Sequence, residues 1–133
     1  MRKFLIVFFI FCFSFVSAED KIVYYQTTEF AMKQIENNKW SDWSKWEESG
    51  LVVTFNMTKD IITIYSPRIQ TYTITEYCGH KIDKYGGSQV TFNFIDNDGY
   101  KGVIRLRIEK NGNSQLYIEF SNIMWVYNVI KVY

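Results

Sequence analysis

The second half of the chain alternates apolar and polar residues with a period of two. Apolar side chains fall at every second position of three runs, at residues 90–94, 104–108 and 116–120. Because successive side chains of a β-strand point to opposite faces, each run predicts a strand with one buried face and one face in water. Residues 51–57 and 123–132 continue the series, and the last run is apolar on both faces. The alternation predicts a fold built from antiparallel strands.

Short turn-forming segments separate these runs. Asp98-Gly99 and Asn111-Gly112 are typical of tight hairpins, because Asp, Asn and Gly tolerate the positive φ angles that such turns require. Strands that recur about every 8–12 residues indicate a barrel or a sandwich, and short connections let consecutive strands pair directly. We expect an all-β fold of about eight strands, either an antiparallel up-and-down barrel or a strongly twisted sandwich.

Residues 28–37 are the only stretch long enough for a helix. Phe30, Ala31 and Ile35 fit one face of a helix, whereas Phe30 and Met32 fit one face of a strand. We favour a strand.

The N-terminal residues predict export. Two positive charges at residues 2–3 precede the apolar residues 4–16, and two small residues at 17–18 follow. This is the layout of a secretory signal peptide, and the apolar run is shorter than the roughly 20 residues of a membrane span. We expect residues 1–18 to be a signal peptide and residues 19–133 to form a single all-β domain. That domain would be periplasmic, on the cell surface or secreted, with no stable membrane insertion after the leader is removed.

The charge balance argues against a nucleic-acid partner. The predicted leader holds two of the 15 basic residues, so the rest of the chain has 13 basic and 14 acidic residues. Nucleic acids and anionic membranes attract a net basic surface, which this balance does not provide. We expect neither as a partner.

Cys78 is the only cysteine outside the predicted leader. An intramolecular disulfide is then excluded, and the domain depends on apolar burial for its stability. A small, semi-buried apolar role is favoured for this cysteine. The alternative is a disulfide between two chains, which would give a dimer through Cys78.

No residue pattern predicts catalysis, a metal site or a cofactor. Cys78 and His80 are too few for a four-ligand zinc site, and their adjacency does not place a histidine base against a cysteine nucleophile. The acidic turn ending at Gly99 is similar to a calcium loop, but Phe94 and Arg105 stand where the first and last oxygen ligands would be. With a single histidine, acid–base chemistry at neutral pH has few candidates. We expect a non-enzymatic protein.

Tryptophan and tyrosine are the candidates for a binding surface. Trp40, Trp43 and Trp46 recur at a spacing of three, which matches neither a helix nor a strand. A cap over the core at one end of the barrel is favoured for these indoles over an exposed aromatic site. If they are exposed, they would bind a protein or a glycan, together with Tyr72 and Tyr117 as outward-facing tyrosines. The protein would then be a binding module.

The alternative function is a carrier of a small apolar ligand inside the barrel. Such a carrier needs inward side chains too small to fill the interior, whereas the predicted inward residues are Phe, Leu, Ile and Met. A packed interior is therefore favoured.

Six segments, in order over most of the chain, carry a resemblance to other proteins. They are Trp43-Ser44-Lys45-Trp46-Glu47, Ile64-Tyr65-Ser66, Gln70-Thr71-Tyr72-Thr73-Ile74, Asp98-Gly99, Gln115-Leu116-Tyr117-Ile118-Glu119 and Trp125-Val126-Tyr127-Asn128-Val129. Together they resemble short exported proteins of unknown function encoded by gut bacteria and their tailed phages, which implies a small exported β protein and no site. By size and strand count the chain is also similar to lipocalin-like barrels, without the Gly-x-Trp signature of that family. This second similarity implies a fold and no ligand.

Overall fold

The computed structural model describes residues 19–132, which form ten β-strands and no helix. No helix in this part of the chain is therefore long and apolar enough to cross a membrane. The predicted signal peptide, residues 1–18, lies outside the described residues. The strands are β1 (Ile22–Glu36), β2 (Lys39–Trp40), β3 (Glu47–Glu48), β4 (Val52–Asn56), β5 (Ile61–Ile64), β6 (Gln70–Ile82), β7 (Ser88–Asp96), β8 (Lys101–Ile108), β9 (Ser114–Glu119) and β10 (Ile123–Lys131).

Eight of these strands close into an antiparallel barrel. From β4 to β10 each strand pairs with the next one along the chain, and β1 pairs with both β4 and β10. The closing pair extends from Tyr25↔Lys131 to Gln34↔Ile123. The predicted all-β, up-and-down barrel of about eight strands is confirmed. A sandwich is not formed, because β1 joins the two ends of the sheet.

The remaining two strands, β2 and β3, pair with the second half of β1. Residues 28–36 belong to β1, so the strand predicted over residues 28–37 is confirmed. Asn37 and Asn38 follow with φ angles of 50° and 62°. Two consecutive positive φ angles are what a type I′ hairpin turn requires. This turn folds residues 39–49 back alongside β1.

The centre of the barrel is filled by apolar side chains. Most residues at the alternating positions predicted to face inward are buried, although Met57 and Ile108, at the ends of their runs, are exposed. Burying each such side chain contributes about 1.5–3 kcal/mol. Several of them have no exposed surface: Val53, Ile62, Ile64, Ile104, Leu116 and Ile118. The barrel is therefore held together by packing of its interior.

Cys78 lies outside this interior. It is exposed, so the expectation of a semi-buried cysteine is wrong. Among the described residues, positions 75–82 of β6 pair with β7 alone, because β5 is short and pairs only with residues 70–73. Side chains on this half-paired stretch have little to pack against. A disulfide between two chains through Cys78 stays a prediction, which electrophoresis without a reducing agent would check.

Candidate functional site

The three-residue spacing of the tryptophans follows from the way residues 40–46 pair with β1. The backbone N–H of Ser41 donates to the Gln34 carbonyl at 2.8 Å, and the Gln34 N–H donates to the Ser41 hydroxyl at 3.1 Å. Ser44 and Met32 make the same two contacts, at 2.7 Å and 2.9 Å. Each serine hydroxyl accepts the β1 N–H that a backbone carbonyl would accept in a regular strand pair. Successive contacts are therefore three residues apart in this segment but two residues apart in β1. Since every second residue of β1 faces the same way, every third residue of the segment does too.

The three indoles lie on the outer face of the barrel and are partly exposed. Their exposed fractions are 40% for Trp40, 39% for Trp43 and 45% for Trp46, and none belongs to the buried core. The expected cap over one end of the core is therefore wrong. The turn at Asn37 and Asn38 is the cause, because it lays the segment against β1 and not across the barrel opening.

Trp43 covers a small apolar patch on this outer face. Its ring makes an edge contact with the ring of Tyr117, with centroids 6.3 Å apart. Val126 and Ala31 continue the cross-strand row that begins at Tyr117. Both are buried, although they alternate with the inward-facing residues of their strands. Because the indole must cross this row to reach Tyr117, it shields both side chains from water, and the Lys33 Nζ lies 4.7 Å from the centre of its ring.

A row of hydrogen-bonded polar side chains runs from Tyr117 towards Trp46. The Tyr117 hydroxyl donates to Gln115 Oε1 at 2.9 Å, and Gln115 Nε2 donates to Asn128 Oδ1 at 3.1 Å. Asn128 Nδ2 in turn donates to Glu29 Oε1 at 3.1 Å. Together with Trp46, the two amides and the carboxylate line a cavity of about 380 Å³. Each of these groups can make further hydrogen bonds, because an amide offers two N–H donors and a carboxylate about four acceptor positions.

Arg105 fixes Tyr117 from the side opposite Trp43. Its guanidinium carbon lies 4.4 Å from the centre of the phenol ring, and its Nε donates to Glu119 Oε1 at 2.7 Å. Stacking and a charged hydrogen bond together hold the ring in one orientation. We call the whole surface the tryptophan face; it consists of Trp40, Trp43, Trp46, Tyr117, Gln115, Asn128 and Glu29.

Tyr72 lies elsewhere, at one end of the barrel. It is 3% exposed, so the expectation that it faces outward is wrong. Its hydroxyl donates to Gln70 Oε1 at 2.6 Å, and Gln70 Nε2 lies 3.5 Å from the Tyr127 hydroxyl. Burial raises the pKa of Tyr72, and the charges of Tyr127 and Asp96 raise it further. Burial also raises the pKa of Tyr127, although its hydrogen bond with Gln70 opposes that rise.

Beside Tyr72 the barrel opens into a cavity of about 510 Å³, which we call the mouth cavity. The β5–β6, β7–β8 and β9–β10 connections surround it, with β1 completing the wall. Three charged residues, Arg68, Asp96 and Asp98, stand at its rim. Five of its fifteen lining residues are aromatic: Phe30, Tyr72, Phe120, Trp125 and Tyr127.

Four of the five predicted site residues, all except Tyr72, lie on the tryptophan face. Sequence reasoning missed the polar row of Glu29, Gln115 and Asn128. One signal was present for Gln115, because the alternation of its predicted strand places it on the same wet face as Tyr117. No local pattern connects the other two, since they meet only when the barrel closes.

No protein-family model, curated protein or solved structure matches the chain. Among residues 19–132, no three or more His, Cys, Asp and Glu side chains cluster in a way that could hold a metal ion.

Proposed function

We propose that the protein is a non-catalytic binding module that recognises a glycan through the tryptophan face. The observation that carries this proposal is the position of Trp46 beside the row of Gln115, Asn128 and Glu29. An indole stacks on the apolar C–H face of a sugar ring, and planar amides and carboxylates hydrogen-bond to its neighbouring hydroxyl groups. Both kinds of group line one cavity of about 380 Å³, a volume typical of small-ligand sites.

The rigidity of the tryptophan face supports this proposal. Ser41 and Ser44 hold the backbone of residues 40–46 against β1. Lys33 Nζ lies over the rings of both Trp40 and Trp43, at 5.6 Å and 4.7 Å. Side chains that are already fixed lose little conformational entropy when a ligand binds, so more of the contact energy contributes to affinity.

A protein partner is the second candidate, because exposed tryptophan and tyrosine are also enriched in protein interfaces. The centre of such interfaces is depleted of carboxylates, whereas Glu29 belongs to the polar row of the tryptophan face. The polar row therefore favours a glycan.

A carrier with its ligand in the barrel interior has less support. Ile62, Ile104 and Leu116 are among the side chains that fill the centre with no exposed surface. A ligand there would have to displace packed core residues, which costs stability.

A glycan array followed by calorimetry with the selected oligosaccharide tests the proposal. We expect Trp46→Ala to weaken binding at least about tenfold, or about 1.4 kcal/mol, with little change in melting temperature. Tyr100→Ala is the matched control, because Tyr100 is also an exposed aromatic residue, with 66% of its surface exposed, but lies in the β7–β8 connection at the mouth-cavity end of the barrel. A wild-type protein that binds no glycan, or a Trp46→Ala variant that binds as tightly, would overturn the proposal.

A further inference from the structure

Aromatic rings in edge-to-face and tilted contact line one side of the mouth cavity. Tyr72 and Phe120 both pack on Phe94, with ring centroids 4.8 Å and 5.3 Å away, at interplanar angles of 74° and 84°. Phe120 also packs on Trp125, with centroids 5.4 Å apart. The rings support one another, so this part of the wall is a rigid aromatic surface.

The other side of the cavity is aromatic as well. Phe30 of β1 packs on Tyr127 of β10, with ring centroids 5.2 Å apart. Gln70 connects the two sides, because it accepts a hydrogen bond from Tyr72 and lies within reach of the Tyr127 hydroxyl. Aromatic rings therefore line two sides of the opening, and one amide lies between the two phenol oxygens.

Among residues 19–132, the charged residue without an ion-pair partner at the rim of the mouth cavity is an acid, Asp96. Arg68 is 92% exposed, and its guanidinium lies 3.9 Å from the Asp98 carboxylate, so its charge is both paired and screened by water. Asp96 has no basic partner among the described residues. One of its oxygens, Oδ1, accepts the backbone N–H groups of Asp98 and Tyr100, each at 2.9 Å. Asp96 therefore places a carboxylate without a basic partner at the edge of the cavity, directly across the β6–β7 pair from Tyr72 of the aromatic wall.

Aromatic faces carry partial negative charge and attract cations, above all cations that lose little hydration energy when they enter an apolar site. Quaternary ammonium groups have this property, because their charge is spread over methyl groups. We propose that the mouth cavity binds a small organic cation of the quaternary ammonium class, with its alkyl groups against the rings and Asp96 as its counter-charge. A neutral apolar ligand would fill the same space but would leave Asp96 without a partner. This site is separate from the tryptophan face.

Choline and its uncharged isostere 3,3-dimethylbutan-1-ol test the proposal, since they have nearly the same shape and differ in charge. In calorimetry with the full chain at low salt, we expect choline to bind at least about tenfold more tightly than the isostere. Asp96→Asn is expected to reduce the choline affinity about tenfold. The variant keeps the Oδ1 acceptor that the β7–β8 turn needs, so the fold is retained.

Asp60→Asn is the matched control. Asp60 carries the same charge in the β4–β5 turn, and β5 separates that turn from the mouth cavity. Its replacement should leave choline binding unchanged, and so should Trp46→Ala, which separates this site from the proposed glycan site. Equal affinity for choline and the isostere, equal loss in the Asp96→Asn and Asp60→Asn variants, or no choline binding at about 10 mM would each overturn the proposal.

Discussion

The ring of Trp43 makes an edge contact with the ring of Tyr117 on the outer face of the barrel, across strand β10. Trp43 is bound through its segment to β1, whereas Tyr117 belongs to β9. The contact therefore spans the seam where β1 pairs with β10 and closes the barrel. Trp43 therefore belongs to the tryptophan face and also connects the strands on either side of this seam.

This position predicts unequal effects of replacing two tryptophans that have similar exposure. Trp43→Ala uncovers the buried Val126 and Ala31, so we expect the free energy of unfolding to fall by about 1–3 kcal/mol, less than for a fully buried tryptophan. Trp46→Ala uncovers neither of these two residues, and we expect the free energy of unfolding to change by no more than about 0.5 kcal/mol. Urea unfolding of both variants measures the difference. Equal losses would show that Trp43 has no special structural role.

The serines between the tryptophans give a second prediction. Ser44→Ala removes the acceptor of the Met32 N–H, so we expect a loss of about 1 kcal/mol in the free energy of unfolding. Amide hydrogen exchange at Met32 should also become faster. Ser121→Ala is the control, because Ser121 is exposed in the β9–β10 turn. Unchanged exchange at Met32 would show that the hydroxyl does not hold the segment.

The fold could be predicted from sequence because it depends on local patterns. Alternation at residues 104–108 and 116–120 indicates strands, and hairpin signals such as Asn111-Gly112 set short connections between them. Eight strands with short connections leave few arrangements besides a barrel or a sandwich. Alternation alone does not show that β1 is long enough to pair with both β10 and β4.

The candidate site was harder to predict from the sequence than the fold, for two different reasons. The spacing of Trp40, Trp43 and Trp46 arises from serine contacts with a partner strand, and no periodicity of the segment itself reveals that partner. Tyr72, by contrast, could have been placed correctly. It shares the phase of Ile74 in the alternating pattern, so it faces inward despite its polar hydroxyl.

Gly102 gives a third prediction, because Phe94 packs directly over it. A Cβ atom at position 102 would lie 2.5 Å from the Phe94 ring and would also meet the Glu119 carbonyl. Phe94 is buried among other core rings and cannot retreat, so we expect Gly102→Ala to destabilise the protein by about 1–3 kcal/mol. Gly50→Ala is the matched control, since no atom lies within 4 Å of the Cβ position there. Urea unfolding compares the two, and equal stability would contradict the close packing of Phe94 on β8.

The buried tyrosines predict how stability changes at alkaline pH. Burial raises the pKa of Tyr72, Tyr127 and Tyr25 above the ordinary value of 10.0. Between about pH 10 and these raised values, the unfolded chain has lost phenol protons that the folded barrel retains, so stability falls as pH rises. The free energy of unfolding should be unaffected by these groups below about pH 9 and then decline by at most about 1.4 kcal/mol per pH unit for each tyrosine.

Tyr72→Phe isolates one of these contributions. The variant loses the hydrogen bond to Gln70, so we expect it to be about 1 kcal/mol less stable than the wild type at neutral pH. It has one fewer phenol to ionise, and its stability should therefore decline less steeply above about pH 10. The difference between the two proteins is expected to shrink as pH rises, which urea unfolding at a series of pH values would show. Parallel curves over the whole alkaline range would mean that Tyr72 ionises equally easily in the folded and unfolded chains, contrary to its position in the wall of the mouth cavity.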